Sequence, residues 1–316
     1  MQYMNPALIR TALRFTFKPI SKIALPVIGF RRVLALSSIL FKAHVQAAMT
    51  RSDLNGVAGI RVQSLIHQRG LNNKVVLHLH GGAFFAGSAR SHRAFGSEIA
   101  VRSHAIVHLI DYRLAPEHPY PAALEDGLVA YQALLSRGYQ PHQIIIGGDS
   151  AGGNLALALC LAIRDRLGHV PSGLYLISPF LDLTLAGSSM TSQHQSDPML
   201  TIEVLQRGRA FYRGDLSLDD ARISPLFADL RGLCPMLIQV GTDEILRDDS
   251  TQLAARAKEA GVSVDCQVYD GMWHDFQLFN NYVQDANTAL DKIARFIKTC
   301  SGEVGQSALR VVERAI

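Results

Sequence analysis

The sequence predicts an α/β fold with a doubly wound, mostly parallel sheet and a helical cap. From about residue 60, short apolar or β-branched runs alternate with longer helical patterns, which is typical of parallel strands joined by crossover helices. Residues 180–222 interrupt that alternation with polar loops and one helical run, which indicates an insert beside the carboxyl ends of the strands. The 316 residues are 48% hydrophobic, enough to bury a large core without disulfides or metals.

The individual elements follow from their residue patterns. Strands are predicted at Lys74–Leu79, Ala105–Ile110, Gln143–Ile146, Gly173–Ser178, Pro235–Val240 and Ser263–Tyr269. Helices are predicted at Ser91–Arg102, Pro121–Arg137, Gly152–Leu167, Thr201–Tyr212, Asp249–Ala260 and Ala286–Lys298. Gly138, Gly168 and Gly261 stand just past three of these helices, where C-cap glycines are expected.

The net charge of +4 is unevenly distributed. Residues 1–51 hold eight Lys or Arg and no Asp or Glu, whereas the rest of the chain holds 23 basic and 27 acidic side chains. That remainder lacks the basic clusters with interleaved aromatic residues that nucleic-acid binding requires. The excess positive charge therefore lies in the N-terminal segment. This segment also lacks the apolar core and cleavage site of a secretion signal.

The first residues have an amphipathic helical pattern. No apolar stretch reaches the roughly 20 residues of a membrane-spanning helix. Four cations recur every four residues along one face, and apolar side chains lie opposite them: Arg10, Arg14, Lys18 and Lys22 against Leu8, Ala12 and Phe15. We expect a helix whose apolar side chains, including Leu13, pack as a cap over the rest of the protein. Weak contact with a membrane surface is the alternative.

The four cysteines are widely spaced. Cys160, Cys234, Cys266 and Cys300 form no C-x-x-C pair, which favours free thiols in a reducing, cytoplasmic compartment over disulfides or a zinc site. His78 and His80 form an H-x-H pair, but no third ligand with metal spacing accompanies them. The sequence therefore predicts no metal and no cofactor.

The segment Gly148-Asp149-Ser150-Ala151-Gly152 is a G-x-S-x-G motif between a predicted strand and a predicted helix. In that context the serine occupies a sharp turn whose crowded backbone leaves no room for side chains at the flanking glycines. Ser150 is therefore the candidate nucleophile, at a helix N-terminus that favours developing negative charge. A phosphate-binding loop is disfavoured because the glycine spacing of such loops is absent.

A nucleophilic serine also needs backbone donors for the oxyanion. His80-Gly81-Gly82-Ala83 directly follows a predicted strand. Its glycines allow close approach to a reacting carbonyl. We predict that the N–H groups of Gly81, Gly82 and Ala151 form the oxyanion hole.

An acid and a basic histidine should follow the serine along the chain, the acid first and the histidine second. His274 follows a predicted strand and has no rival histidine after it. Asp243 follows the preceding strand, but Glu244, Asp248 and Asp249 compete with it for the role of the acid.

Several blocks together resemble the bacterial hormone-sensitive-lipase family (family IV) of α/β-hydrolase carboxylesterases. The resemblance spans roughly residues 74–298 and rests on these segments: His80-Gly81-Gly82, Tyr112-Arg113-Leu114-Ala115-Pro116-Glu117, Gly148-Asp149-Ser150-Ala151-Gly152, Gly241-Thr242-Asp243-Glu244 and Gly271-Met272-Trp273-His274. It implies Ser150 as nucleophile, His274 as base and Asp243 as acid. It also implies a cap built from residues 1–50 and 180–222, a catalytic domain of residues 51–179 and 223–300, and a tail, 301–316, to which no role is assigned.

The resemblance implies a serine carboxylesterase that hydrolyses short- to medium-chain acyl esters through an acyl-enzyme. We expect the pKa of the base near the usual 6 to 7 of histidine. Arg113 and Glu117 are expected to pair within their proline-rich loop, and Ala83 stands where the family usually has a third glycine. Interfacial lipase activity on longer lipid esters and a non-catalytic small-molecule binder remain the alternatives, and a homodimer is compatible with the sequence.

Overall fold

A computed structural model describes residues 3–23, 25–66 and 73–300. Within them one eight-stranded sheet has the strand order β1-β2-β4-β3-β5-β6-β7-β8. Its strands are β1 Ala47–Leu54, β2 Val57–Ser64, β3 Val75–Leu79, β4 Ile106–Ile110, β5 Ile144–Asp149, β6 Gly173–Ile177, β7 Met236–Gly241 and β8 Val264–Tyr269. The helices are α1 Pro6–Lys22, α2 Val27–Ser37, α3 Arg93–Ser103, α4 Ala122–Ser136, α5 Ser150–Leu167, α6 Ser189–Ser192, α7 Ile202–Tyr212, α8 Arg247–Glu259 and α9 Gln284–Thr299. The tail 301–316 lies outside the described residues.

The sheet is parallel from β4 through β3 and β5 to β8, and β1 and β2 add antiparallel strands at one edge. The central strands β3 and β5 are buried along their whole length, as expected for strands covered by helices on both faces. Leu79 pairs with Gly148, so the loop that follows β3 lies beside the turn that follows β5. The predicted α/β fold is confirmed, and this register places the two motif-bearing loops next to each other.

The hairpin of β1 and β2 is absent from the prediction. Its tight turn, Asn55-Gly56, has φ of +56° and +91°, the backbone that an Asn-Gly hairpin turn adopts. The Asn-Gly dipeptide is the sequence signal for this hairpin, but the strands on either side carry many polar residues on their exposed sides and so lack the apolar runs used to predict the other strands. Because β1 begins at Ala47, the last residues assigned to the N-terminal cap belong to the sheet instead.

The three predicted C-cap glycines do stand at helix ends. Gly138, Gly168 and Gly261 have φ of +95°, +72° and +77°, a left-handed backbone that favours glycine. They end α4, α5 and α8 and turn the chain back towards the sheet.

Helix α1 packs through the face opposite to the one expected. Arg14 donates to the carbonyl oxygen of Gln195 (2.9 Å), and Lys18 donates to those of His194 (2.7 Å) and Asp197 (2.6 Å). Leu8 and Phe15 are 62% and 77% exposed. The expectation that the apolar stripe packs on the protein is therefore wrong for Leu8, Ala12 and Phe15, although Leu13 is half-buried. The face that packs is a different apolar stripe, Ile9, Leu13, Phe17 and Ile20, and the bonds of Arg14 and Lys18 to carbonyl oxygens of the insert lie beside it.

Candidate active site

Ser150 is the first residue of α5 and directly follows the last residue of β5. Its φ is +52°, a strained backbone for a residue with a side chain, and it is 6% exposed. A Cβ at Gly148 would lie 2.2 Å from the carbonyl oxygen of Gly152, and one at Gly152 would lie 2.1 Å from that of Leu79. The flanking glycines are therefore required by backbone packing, and the strained turn lifts the Ser150 side chain to the carboxyl edge of the sheet.

His274 lies in the loop after β8, is 3% exposed and meets a carboxylate at each ring nitrogen. Its Nδ1 is 3.0 Å from Oε2 of the fully buried Glu244, and its Nε2 is 3.2 Å from Oδ2 of Asp275. The other oxygen of Glu244 accepts hydrogen bonds from the Ser178 hydroxyl (2.9 Å) and the Gly241 N–H (2.5 Å). Glu244 is thus held rigidly against the ring.

The structure does not bring Asp243 to His274. The Asp243 carboxylate pairs with Arg10 of α1, and the same guanidinium donates to the Gly271 carbonyl at 2.6 Å. The N–H of Asp243 donates to the Met272 carbonyl at 3.0 Å, which fixes the backbone there and leaves the next side chain to reach the histidine. The structure therefore places Glu244, and not the predicted Asp243, against Nδ1 of His274. The sequence offers no signal that selects Glu244 over the adjacent Asp243, because the choice follows from the folded backbone between β7 and α8.

One predicted oxyanion donor is already engaged. The N–H of Gly81, a predicted oxyanion donor, donates instead to Asp149 Oδ2 at 2.9 Å. The N–H groups of Gly82 and Ala83 donate to no acceptor in the described part of the chain. Gly82 and Ala83 have φ of +124° and +52°, so the chain curls tightly beside Ser150. The available donors near the nucleophile are therefore the amides of Gly82 and Ala83 with that of Ala151.

Asp149 is the centre of a buried network that supports this loop. Besides the Gly81 N–H, it accepts hydrogen bonds from His78 Nε2 (3.0 Å) and His92 Nε2 (3.1 Å), which hold the pKa of its carboxyl far below the usual range despite burial. His78 also bonds the Tyr175 hydroxyl at 2.9 Å, and burial lowers the pKa of His80 to about 3. Both histidines of the H-x-H pair are thus engaged in packing, and no metal-ligand cluster occurs among the described residues.

The charge environment of His274 differs from the expectation. Burial alone would lower its pKa, but the carboxylates of Asp275 and Glu244 outweigh burial and raise it well above the usual value. The expectation of a pKa near 6 to 7 is therefore corrected upwards. Nothing in the sequence singled out Asp275, since its contact with His274 depends on a left-handed backbone with φ of +53°.

A cavity of about 370 Å³ opens above the serine and the histidine. Ser150 and His274 lie at its base. Its walls combine parts of both predicted cap segments with residues of the catalytic domain: Leu13, Phe17, Phe30, Leu34, Met199 and Leu205 from the cap segments, and Phe95 and Leu278 from the catalytic domain. A mostly apolar cavity with a few polar groups at its base is typical of a small-molecule site. It suits the acyl chain of an ester.

The proline-rich loop is held by partners other than those expected. Arg113 pairs with Asp126 on α4 at 2.7 Å, and Glu117 pairs with Arg31 on α2 at 2.7 Å, so the predicted pair of Arg113 and Glu117 does not form. Arg31 also donates to the carbonyl oxygens of Phe85 (2.7 Å) and Ala115 (2.9 Å). The loop is thereby fastened to both the catalytic domain and the N-terminal segment.

Comparison with known proteins agrees with this geometry. Residues 76–278 match a family model described as having the alpha/beta hydrolase fold. An esterase of Acinetobacter venetianus is 42% identical over 285 residues, covering 90% of this chain and 93% of that protein. An acetyl-hydrolase of Streptomyces hygroscopicus is 35% identical over 232 residues, covering 73% and 78%.

Solved structures give the same result. The crystal structure of an esterase from the bacterial hormone-sensitive lipase family superposes with a TM-score of 0.87 at 34% identity, covering 93% of this chain and 97% of that one. An esterase crystal soaked with p-nitrophenyl butyrate gives a TM-score of 0.87 at 35% identity and the same coverage. The nucleophile turn, the buried histidine and these relatives together show that the chain belongs to the α/β-hydrolase fold family, in its bacterial hormone-sensitive-lipase branch.

Proposed function

We propose that this carboxylic ester hydrolase works through the triad Ser150, His274 and Glu244. The observation that carries the proposal is that Ser150 and His274 line one apolar cavity at the edge of the sheet, while the buried Glu244 lies 3.0 Å from Nδ1 of His274. The amides of Gly82, Ala83 and Ala151 complete the site as the oxyanion hole. A non-catalytic binder on the same fold is disfavoured, because a nucleophile turn with a strained serine and a buried histidine–carboxylate pair serves no purpose in binding alone.

The proposed reaction has two acyl-transfer steps. His274, neutral and oriented by Glu244, accepts the Ser150 proton as Oγ attacks the ester carbonyl. The loop amides stabilise the tetrahedral oxyanion, and His274 then delivers the proton to the departing alcohol. Water repeats the cycle on the acyl-enzyme, which releases the acid and restores the serine. The chain's own residues supply each of these proton transfers.

The substrate class follows from the cavity. Its apolar walls suit an acyl chain, and its modest volume favours short- to medium-chain esters. A series of p-nitrophenyl esters from acetate to palmitate measures this, and kcat/KM should peak at short or medium length and fall for palmitate. A peak at palmitate would favour the lipase instead.

The nucleophile is tested by Ser150→Ala. Loss of the hydroxyl should reduce kcat for p-nitrophenyl butyrate by about 10⁶, with the circular dichroism spectrum unchanged, because alanine adds no bulk. Ser136→Ala, at an exposed position of α4, is the matched control and should retain full activity. Activity of the Ser150 variant within tenfold of the parent would place the nucleophile elsewhere.

The N-terminal segment supports a second proposal, binding to an anionic lipid surface. Of the thirteen large hydrophobic side chains that are exposed in the described part of the chain, ten lie between Tyr3 and Val45. The segment holds eight cations and no acid, and Lys22, Arg32 and Lys42 are exposed. Exposed apolar side chains among cations match a membrane surface, where each Lys or Arg contributes about 1 kcal/mol. Leu40 is 63% exposed and also lines the cavity, so the cavity opens on this face.

Co-sedimentation with phosphatidylglycerol vesicles tests the lipid surface. The double variant Leu8→Ser/Phe15→Ser removes exposed side chains of α1 that do not line the cavity, and should abolish sedimentation while leaving turnover of p-nitrophenyl butyrate unchanged. Phe227→Ser/Val268→Ser is the control, with exposed hydrophobic residues elsewhere, and should still sediment. Absence of binding by the parent, or conversion of a dimer to a monomer by the α1 variant, would contradict the proposal.

We also propose that the protein is cytoplasmic and forms a homodimer. All four cysteines are free thiols, and three of them are buried, which supports a reducing compartment. The edge strand β8, with Val268 47% exposed, is a surface to which a second copy could pair. Among the described residues, no helix combines the length and hydropathy needed to cross a bilayer.

A further inference from the structure

The carboxylate of Asp275 lies at the nitrogen of His274 that the proposed mechanism needs. Glu244 occupies Nδ1, so Nε2 must accept the proton of Ser150. In the structure Nε2 is 3.2 Å from Asp275 Oδ2 instead. Asp275 therefore competes with the nucleophile for the working nitrogen.

This contact is the main polar engagement of the Asp275 side chain. Its Oδ1 accepts no hydrogen bond in the described part of the chain, although the residue is only 7% exposed. The backbone alone fixes the local turn, since the Asp275 N–H donates to the Ser178 hydroxyl and its carbonyl accepts from the Leu278 N–H. A buried carboxylate without a structural partner is costly unless it faces a cation, and the histidine in direct contact with Asp275 is His274.

The other charged groups around this pair are already neutralised or otherwise bound. Asp149 accepts hydrogen bonds from two histidines, one of which, His92, also faces Asp275. Asp197, from the insert, accepts from the N–H groups of Met199, Leu200 and Ile245. Glu244 holds the opposite nitrogen of His274. Asp275 is thus the carboxylate whose charge acts directly on Nε2.

We propose that Asp275 is a positioning residue that holds a proton on Nε2 of resting His274 and so sets the lower limit of the pH range in which the enzyme works. The proposal rests on the triad proposed above. With the proton in place, His274 cannot accept one from Ser150, and the ion pair must first lose its proton to solvent. Activity then rises with pH as His274 becomes neutral, and Asp275 moves that rise to higher pH. The raised pKa of His274 agrees with this direction.

The variant Asp275→Asn tests the proposal. Asparagine tolerates the left-handed backbone at φ +53° and removes only the charge. The acidic limb of the kcat/KM profile for p-nitrophenyl butyrate should move to lower pH by about one to three units, the effect of removing an opposite charge at this distance. Asp285→Asn, at an exposed position of α9, is the matched control and should leave the limb in place. An unchanged limb, or one moved to higher pH, would overturn the proposal.

A second variant and a second measurement keep the test valid if Asp275→Asn fails to fold. Asp275→Gly also suits the left-handed backbone and should shift the limb in the same direction. The rate at which an organophosphate inactivates the enzyme reports the same ionisation without needing turnover, so its pH profile should move in parallel. If Ser150→Ala retains activity, the triad itself is wrong. If that variant is inactive while both Asp275 variants keep the parent's limb, only the role of Asp275 fails.

Discussion

At the scale of single residues, Glu244 is restrained by three hydrogen bonds to its carboxylate, from Gly241, Ser178 and His274. Glu244→Gln should lower kcat by about 10⁴, because an amide favours the wrong tautomer or orientation of the histidine. Steady-state kinetics with p-nitrophenyl butyrate measure the loss. An unchanged KM would indicate that substrate binding is intact.

The neighbouring residue provides the control. Asp243→Asn removes a carboxylate that pairs with Arg10, and we expect kcat to stay within tenfold of the parent. If Asp243→Asn were the more damaging of the two exchanges, the acid would be Asp243 after all.

At the scale of elements, Arg31 joins α2 to the catalytic domain. Its side chain bonds two backbone carbonyls and Glu117, and its neighbour Phe30 packs against Phe85 with ring centroids 5.1 Å apart and the ring planes tilted by 45°. Arg31→Met should loosen α2, which forms part of the cavity wall. KM for p-nitrophenyl hexanoate should then rise about tenfold with a smaller change in kcat, because a misplaced wall weakens substrate binding more than it disturbs the triad. Arg32→Met removes the same charge from an exposed position, and an equal effect there would show that charge, not attachment, is responsible.

At the scale of the whole molecule, the sequence predicted those features that depend on residues close together in the chain. The buried strands, the C-cap glycines and the turn at Ser150 follow from local patterns and are found where expected. The choice between Asp243 and Glu244 depends on a hydrogen bond to Met272, some thirty residues away, and the role of Gly81 depends on Asp149. Such contacts form only once the sheet has assembled, so residue patterns alone could not decide them.

The attachment of α1 to the insert also has a consequence for synthesis. Arg14 and Lys18 bind carbonyl oxygens at residues 194–197, which follow them in the chain by 176 to 182 positions. At ordinary translation rates, that interval lasts roughly ten to forty seconds. Throughout it, α1 lacks these carbonyl partners, and its cavity-facing residues, Leu13 and Phe17, are exposed together with Phe15. Helix α1 therefore docks only after the insert has been made, and until then the nascent chain presents a basic, apolar helix to chaperones and membranes.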